Sequence, residues 1–227
     1  MPLEVVDLRA ESSVPDVLTR RHGGWDRPEL AKPAAVVRKI LSDVREDGDA
    51  AVCAYTKSLD GADLTAEGLR MSHVDRDLAA ARVDRRTIGA LEAAAQSIRE
   101  FHEAQLPSDW SIERDGARTG QVFRPIRRVG LYAPGGRAVY PSTVLMTAVP
   151  AIVAGVSDIV LATPPDESGE ASDVICAAAA ICGIDEIYRI GGAQAVGALA
   201  FGTATIKPVD KICGPGNLYV TLAKREV

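Results

Sequence analysis

The stretch Ile190-Gly191-Gly192-Ala193-Gln194 ends a short β-branched run and begins an apolar helical pattern. Two other stretches have the same form, Ala133-Pro134-Gly135-Gly136 and Gly214-Pro215-Gly216-Asn217. In a parallel sheet, the loops that leave the carboxyl ends of the strands gather along one edge, where glycines let the backbone approach a ligand closely. The three stretches therefore predict one long ligand crevice.

Short strands precede these stretches and helical patterns follow them. The predicted strands are Arg128–Tyr132, Asp158–Ala162, Glu186–Ile190 and Val209–Cys213. The predicted helices cover about 141–156, 171–183 and 193–202, and a last one begins near 217. Strands that alternate with helices of about 10–15 residues are typical of βαβ units and a parallel, doubly wound sheet. The predicted fold class is α/β, with a Rossmann-like domain at residues 128–227.

Upstream of residue 128 the chain is predicted to be mainly helical. One apolar stripe at helical spacing consists of Val37, Ile40, Leu41 and Val44. A second stripe, formed by Ile88, Leu91, Ala95 and Ile98, indicates a single helix from about 75 to 105. Residues Trp110–Gln121 are predicted to form a hairpin that turns at Asp115-Gly116.

The glycine-rich stretches do not by themselves identify a ligand. None matches the G-x-G-x-x-G dinucleotide fingerprint, and glycine at strand-to-helix turns is ordinary turn chemistry. Gln194 and Asn217 favour a binding site, because each amide both donates and accepts hydrogen bonds beside a helix start that attracts anions. Helix capping is the alternative role, and it suits Asn217 better than Gln194.

Four long motifs of the sequence resemble those of histidinol dehydrogenases. They are Val129-Gly130-Leu131-Tyr132-Ala133-Pro134-Gly135-Gly136, Pro141-Ser142-Thr143-Val144-Leu145-Met146, Gly191-Gly192-Ala193-Gln194-Ala195 and Lys211-Ile212-Cys213-Gly214-Pro215-Gly216-Asn217. Weaker similarity lies upstream, at Asp43-Val44-Arg45, Gly48-Asp49-Ala50 and Asp60-Gly61. The motifs follow the family's order and spacing, and the resemblance covers nearly the whole chain from about residue 25.

The resemblance implies a zinc enzyme of histidine biosynthesis. Such an enzyme oxidises L-histidinol to L-histidine through L-histidinaldehyde, in two successive NAD-dependent steps, and works as an intertwined homodimer. The family's NAD contacts fall on Tyr132, Gln194 and Asn217 of this sequence. Its zinc ligands, substrate-binding residues and Glu-His catalytic pair belong to sequence beyond residue 227, and His102-Glu103 is not that pair because its order is reversed. No catalytic residue and no metal ligand is therefore expected in this chain.

The family's domain organisation gives three expected regions. Residues 1–25 form an N-terminal arm, and residues 26–127 form the helical first part of an incomplete second α/β domain. Residues 128–227 form the Rossmann-like domain with the glycine-rich ligand loops. Because the second domain is incomplete, we expect the apolar helix stripes to lack a partner surface, and the chain to self-associate or be poorly soluble.

Composition and charge agree with a soluble cytoplasmic protein. The net charge of −5 comes with no basic stripe, which argues against a nucleic-acid partner. The most apolar stretch, 144–162, is interrupted by polar residues and proline, so a membrane span is not expected, and residues 1–11 show no secretory signal. The four cysteines, Cys53, Cys176, Cys182 and Cys213, lack metal-binding spacing and are predicted to be small buried hydrophobes.

Two other functions stay open from the sequence. The chain could be a non-catalytic truncated or split subunit that binds a nucleotide or a partner chain. It could also be an α/β domain that binds a phosphorylated metabolite at the same loops. Under each of these hypotheses we expect the isolated chain to be inactive as a dehydrogenase. The same expectation applies if the chain is a histidinol dehydrogenase of this length.

Overall fold

The computed structural model describes residues 28–135 and 139–227. The predicted arm at residues 1–25 lies outside the described residues, as does Gly136 of the first glycine-rich stretch. The helices are α1 Pro28–Asp47, α2 Asp49–Tyr55, α3 Ala66–Leu69, α4 His73–Ala81, α5 Arg85–Glu103, α6 Pro141–Val153, α7 Asp173–Ile181, α8 Gly192–Phe201 and α9 Leu218–Glu226, with a π-helical turn at Thr56–Asp60. The strands are β1 Arg70–Met71, β2 Trp110–Arg114, β3 Ala117–Gln121, β4 Arg128–Tyr132, β5 Asp158–Thr163, β6 Glu186–Arg189 and β7 Lys211–Cys213.

A five-stranded sheet of order β1-β6-β5-β4-β7 forms the centre of the fold. The pairs β4–β5, β5–β6 and β4–β7 are parallel, and β1 adds to β6 in the antiparallel direction. The predicted α/β class with a parallel sheet is confirmed. The strand β7 is shorter than predicted, because the backbone N–H of Val209 donates to the carbonyl oxygen of Leu199 instead of joining the ladder.

The sheet has a helical layer on each face. Along the strands, Val129 and Leu131 face one layer, whereas Tyr132 and Val160 face the other, as the alternation of side chains in a strand requires. Helices α4, α5, α6 and α7 pack together in the first layer, and α1, α2, α8 and α9 pack together in the second. Both layers thus combine helices from upstream and downstream of residue 128, although the predicted domain boundary there stays a prediction.

The apolar stripe of α1 has a partner surface within this chain. Val37, Ile40, Leu41 and Val44 are all at most 6% exposed, and α1 packs against α8 and α9. Gly197 of α8 allows this close approach, because a Cβ atom there would lie 3.1 Å from Leu41 Cδ2. The expectation that this stripe is uncovered is therefore wrong.

The single helix predicted over residues 75–105 is also wrong. The chain forms two helices, α4 and α5, separated at Arg82, Val83 and Asp84. Asp84 is the N-cap of α5, where its side chain accepts hydrogen bonds from the backbone N–H groups of Arg86 and Thr87, both at 3.0 Å. This cap stabilises a new helix start where the apolar spacing alone suggested continuity.

The predicted hairpin is confirmed. Strands β2 and β3 pair through Trp110 opposite Gln121, and the turn residues Asp115 and Gly116 have φ angles of 52° and 78°. Two consecutive positive φ angles are those of a type I′ turn, which an Asp-Gly pair favours. All ten residues of the two strands are exposed. In the part of the chain that the structure describes, no helix combines the length and the apolarity that crossing a bilayer requires.

Candidate functional site

The sheet order defines where a ligand crevice is expected. Strand β4 lies between β5, which follows it in the chain, and β7, which comes last. The chain passes from β4 to β5 and β6 on one side and then returns to β7 on the other side of β4, which makes the carboxyl ends of β4 and β7 a topological switch point. The first and third glycine-rich stretches follow these two strands.

A cleft of about 960 Å³ opens at this edge of the sheet. This volume lies within the range of roughly 300–1,000 Å³ that is usual for small-molecule sites. Residues from all three glycine-rich stretches line it. The described lining residues are Val36, Ile40, Leu59, Asp60, Tyr132, Pro134, Gly135, Pro164, Pro165, Asp166, Glu167, Ser168, Gly192, Ala193, Gly216, Asn217 and Tyr219.

Two glycine positions show why the loops lie so close together. A Cβ atom on Gly214 would lie 2.1 Å from the carbonyl oxygen of Tyr132, so the loop after β7 contacts the end of β4 directly. Gly192 has a φ of 59°, a left-handed conformation that few other residues adopt, and it is the first residue of α8. A side chain on Gly214 would force the two loops apart, and one on Gly192 would lie 2.5 Å from Gln194 Oε1.

Tyr132 ends β4 and lines the cleft. The residue is 4% exposed, and its hydroxyl oxygen accepts a hydrogen bond from the backbone N–H of Gly192, at 3.2 Å. Burial raises the pKa of Tyr132 to about 12, so the hydroxyl is neutral at physiological pH and can also donate.

Asn217 also lines the cleft and lies in the third glycine-rich stretch. Its side-chain oxygen Oδ1 accepts a hydrogen bond from the backbone N–H of Val220, at 3.0 Å, which makes it the N-cap of α9. The capping role that the sequence left open is therefore present. The residue is exposed and also lines the cleft, so capping and ligand binding are compatible, because the cap engages the amide oxygen and not the amide nitrogen.

Gln194 lies behind the cleft wall. The side chain is 0% exposed, and its Nε2 donates a hydrogen bond to Asp60 Oδ2, at 3.3 Å. Its Oε1 has no hydrogen-bond partner among the described residues. The structure thus brings Tyr132 and Asn217 to the cleft surface and places Gln194 one layer deeper.

Asp60 is the residue of the cleft that sequence reasoning missed as a site residue. It ends the π-helical turn Thr56–Asp60, and Gly61 follows in a left-handed conformation. Burial raises the pKa of the Asp60 carboxyl from 3.8 to about 6, while hydrogen bonds from the Gly191 backbone and from Gln194 act in the opposite direction. The only sequence signal for it was the weak Asp60-Gly61 similarity to the family motifs.

The cleft has an acidic character. Three of the described lining residues are carboxylates, Asp60, Asp166 and Glu167, and none of them is lysine, arginine or histidine. Asp166 Oδ1 is occupied within its own loop, where it accepts hydrogen bonds from the backbone N–H groups of Ser168 and Glu170, at 2.9 and 3.0 Å. Positive potential toward an anionic ligand therefore comes from the helix starts in this region.

The structure gives no site for a metal ion in residues 28–135 and 139–227. No group of three or more histidine, cysteine, aspartate or glutamate side chains there could hold one. All four cysteines are free thiols; Cys176 is buried, as predicted, whereas Cys53, Cys182 and Cys213 are only partly buried. Burial raises the pKa of the Cys176 thiol to about 11, which makes it a poor metal ligand and nucleophile.

Comparison with known proteins gives consistent matches. The family model for histidinol dehydrogenase matches residues 26–227. The histidinol dehydrogenase of Bacillus licheniformis is 50% identical over 192 residues, which are 84% of this chain and 45% of that protein. The histidinol dehydrogenase of Thermosynechococcus vestitus is 45% identical over 225 residues, which are 99% of this chain and 51% of that protein.

A solved structure agrees with these relatives. The crystal structure of histidinol dehydrogenase from Elizabethkingia anophelis superposes with a TM-score of 0.81 at 43% identity, covering 85% of this chain and 44% of that chain. The chain therefore spans about half the length of the curated relatives that it matches.

Proposed function

The chain belongs to the histidinol dehydrogenase family of oxidoreductases, and we propose that it forms the NAD-binding portion of a histidinol dehydrogenase. The complete enzyme would oxidise L-histidinol to L-histidine through L-histidinaldehyde, in histidine biosynthesis. The observation that supports this proposal most directly is the cleft at the switch point between β4 and β7, lined by residues of all three glycine-rich stretches.

The residues at the cleft fit a dinucleotide. The N-termini of α8 and α9 provide backbone N–H groups and a positive dipole end, which suit a pyrophosphate. The ring of Tyr132 offers a flat apolar surface, and the hydroxyl and the Asn217 amide offer polar contacts. When bound, NAD supplies the hydride acceptor for each of the two oxidation steps.

This chain's own residues would bind and orient the cofactor. Tyr132 and Asn217 line the cleft, and the buried Gln194 supports the lining residue Asp60 through a hydrogen bond. Because a hydride transfers only over a short distance in a defined direction, fixing the dinucleotide in this way is a contribution to catalysis. From the family resemblance, we expect the residues that contact L-histidinol to lie outside this chain.

Zinc does not fit the described residues, because no group of three or more potential ligands lies together among them. From the family resemblance, we expect the zinc ligands and the Glu-His pair in sequence beyond residue 227. We accordingly expect purified chain to contain no stoichiometric zinc and to form no NADH from histidinol above background. A tight zinc ion in elemental analysis, or histidinol-dependent NADH formation, would contradict this expectation.

Cytoplasmic location and an intertwined homodimer of the full-length enzyme are parts of the same proposal. They are supported by the family resemblance alone. The net charge of −5 without a basic stripe disfavours a nucleic-acid partner. The second candidate function is that of a non-catalytic subunit that binds a nucleotide, a phosphorylated metabolite or a partner chain.

Two experiments separate these functions. Sequencing the coding DNA downstream of the Val227 codon tests whether the chain is part of a complete enzyme. We then expect an in-frame continuation of similar length that contains a Glu-His pair. The midpoint of thermal unfolding, measured with NAD, nicotinamide mononucleotide or ribose 5-phosphate, tests which class of ligand the cleft binds. Stabilisation by NAD alone supports the dinucleotide site, whereas equal stabilisation by ribose 5-phosphate supports a metabolite-binding domain.

A further inference from the structure

Lys224 connects helix α9 to the end of strand β7. Its Nζ donates a hydrogen bond to the backbone carbonyl oxygen of Gly214, at 2.5 Å. Lys224 lies in the last turn of α9, and Gly214 follows directly after β7. A hydrogen bond from an ammonium group is stronger than one between neutral groups, because the donor carries a full charge. The side chain therefore ties the first residue of the third glycine-rich stretch to the helix that follows this stretch.

The same helix holds the other end of the third glycine-rich stretch. Asn217 is the N-cap of α9, where its Oδ1 accepts the hydrogen bond from the backbone N–H of Val220. Between the two ends, a Cβ atom on Gly216 would lie 2.3 Å from Val220 Cγ1, so the backbone of the stretch packs directly on α9. The stretch is thus fixed at its last residue by the helix cap and at its first residue by Lys224.

The restraint on Gly214 bears on the cleft because this glycine contacts the end of β4. A Cβ atom on Gly214 would lie 2.1 Å from the carbonyl oxygen of Tyr132, and Tyr132, Gly216 and Asn217 all line the cleft. Glycine adopts a wide range of backbone conformations, so the residue itself does not fix the orientation of its peptide group. The hydrogen bond from Lys224 supplies this restraint, since it holds the Gly214 carbonyl toward α9.

Lys224 acts on the cleft from behind the third glycine-rich stretch. The side chain is partly buried and is not among the described lining residues, whereas Asn217 is. A molecule bound in the cleft would therefore contact Asn217, and Lys224 would affect it only through the backbone of the stretch. This arrangement is that of a residue that positions another residue.

We propose that Lys224 is a positioning residue of the cleft: through the Gly214 carbonyl it holds the third glycine-rich stretch in the conformation that presents Asn217 to the ligand. The inference rests on the proposed function, because NAD is the ligand with which it is tested. It differs from that function in assigning a role to a side chain outside the cleft lining.

The test compares the dissociation constant of NAD, by titration calorimetry, in the parent chain, Lys224→Met, Lys224→Arg and Arg82→Met. Methionine keeps an unbranched side chain without the donor, whereas arginine keeps a cationic donor. Arg82→Met is the matched control, because Arg82 also ties two elements together, through hydrogen bonds of 2.6 and 3.0 Å to Asp173 of α7, and does not line the cleft. We expect Lys224→Met to bind NAD about tenfold more weakly, and the other two variants to stay within about threefold of the parent.

Hydrogen exchange of the Val220 backbone N–H, followed by NMR, is a second measurement that needs no ligand. This N–H belongs to a buried residue and donates to Asn217 Oδ1, so its protection reports whether the third glycine-rich stretch is in place. We expect its exchange to be about tenfold faster in Lys224→Met than in the parent or in Arg82→Met.

Thermal unfolding of each variant checks that the fold is intact, and Lys224→Gln replaces Lys224→Met if the latter does not fold. Unchanged NAD affinity in the folded variant would overturn the inference while leaving the NAD site in place. An equal loss of affinity in Arg82→Met or in Lys224→Arg would also overturn it, since general stability or side-chain shape would then explain the effect. Absence of NAD binding by the parent chain would overturn the proposed function, and unchanged exchange at Val220 would separately overturn the inference.

Discussion

The hydroxyl oxygen of Tyr132 accepts a hydrogen bond from the backbone N–H of Gly192, at 3.2 Å. Tyr132 ends β4 and Gly192 begins α8. This contact therefore joins the end of β4 to the second glycine-rich stretch, across the end of β5. The N–H of Gly192 is one of those that a helix start leaves without an intrahelical partner. The tyrosine hydroxyl therefore stabilises the helix start and also fixes part of the cleft wall.

Replacing Tyr132 by phenylalanine tests this contact. Tyr132→Phe leaves the Gly192 N–H without its partner, and we expect it to lower the free energy of unfolding by about 0.5–1.5 kcal/mol and to weaken NAD binding several-fold. Urea unfolding and calorimetry measure the two effects. Tyr188→Phe is the matched control, because that buried hydroxyl bonds to Glu186 and Thr205 and Tyr188 does not line the cleft. If both variants weakened NAD binding equally, a local effect at Tyr132 would be excluded.

The amide pair Gln194 and Asn217 is predicted to contribute jointly to NAD binding. Each single change to alanine should weaken binding modestly, by about 0.5–1.5 kcal/mol, and the double variant more clearly. The measurement is the dissociation constant for NAD in this chain, or the Michaelis constant in a full-length enzyme with histidinol saturating. An unchanged constant in a folded double variant would mean that the cofactor binds elsewhere.

Asn217 needs its own control, because it is also a helix cap. Asn217→Ala is expected to lower the free energy of unfolding by about 0.5–2 kcal/mol through loss of the cap alone. Ser72→Ala removes a comparable cap at α4, where the Ser72 hydroxyl accepts from the Asp75 N–H at 3.1 Å, and Ser72 does not line the cleft. Equal loss of NAD affinity in both variants would attribute the effect to stability.

Asp60 is predicted to make the stability of the fold depend on pH in the acid range. Burial raises its pKa in the folded state to about 6, above the value of 3.8 that applies to an unfolded chain. The folded state therefore binds this proton more tightly, so the contribution of Asp60 to stability is fully present below about pH 4 and is lost as the pH rises through 6. Because the carboxylate is partly exposed, solvent screening keeps this contribution well below about 3 kcal/mol.

The matched comparison is between the parent and Asp60→Asn, in urea unfolding at several pH values between 4 and 7. The variant lacks the titrating group, so its stability relative to the parent should increase as the pH rises through this window. Tyr132 is a neighbouring titratable group, and it is the same in both proteins. A stability difference that did not change with pH would show that Asp60 has an ordinary pKa.

The strand and loop positions of the downstream part could be predicted because local signals agree with one another. Strand β4 has the predicted bounds Arg128–Tyr132, and the hairpin turn at Asp115-Gly116 has the backbone angles that its residues favour. At such positions, hydrophobic alternation and turn chemistry indicate the same structure. Glycines after the strands then identify the edge of the sheet that carries the cleft.

Other features could not be predicted because they depend on contacts distant in sequence. Strand β1 is only two residues long, Arg70–Met71, and exists through its pairing with Tyr188 and Ile187 of β6. Asp60 enters the cleft wall through a hydrogen bond with Gln194, 134 residues further along the chain. No periodicity or motif spacing contains such information, so the position of Asp60 in the cleft is visible only in the folded chain.

The last prediction concerns Gly214, where the loops after β4 and β7 meet. Gly214 has a φ of 117°, and a Cβ atom there would lie 2.1 Å from the Tyr132 carbonyl oxygen. Gly214→Ala must therefore displace one loop, and we expect a loss of about 2 kcal/mol or more in the free energy of unfolding, together with weaker NAD binding. Gly89→Ala is the control, because Gly89 lies within α5 with no atom within 4 Å of an added Cβ and should become more stable by about 0.5–1 kcal/mol. Full stability and unchanged NAD affinity in Gly214→Ala would show that the two loops do not need this close contact to form the cleft.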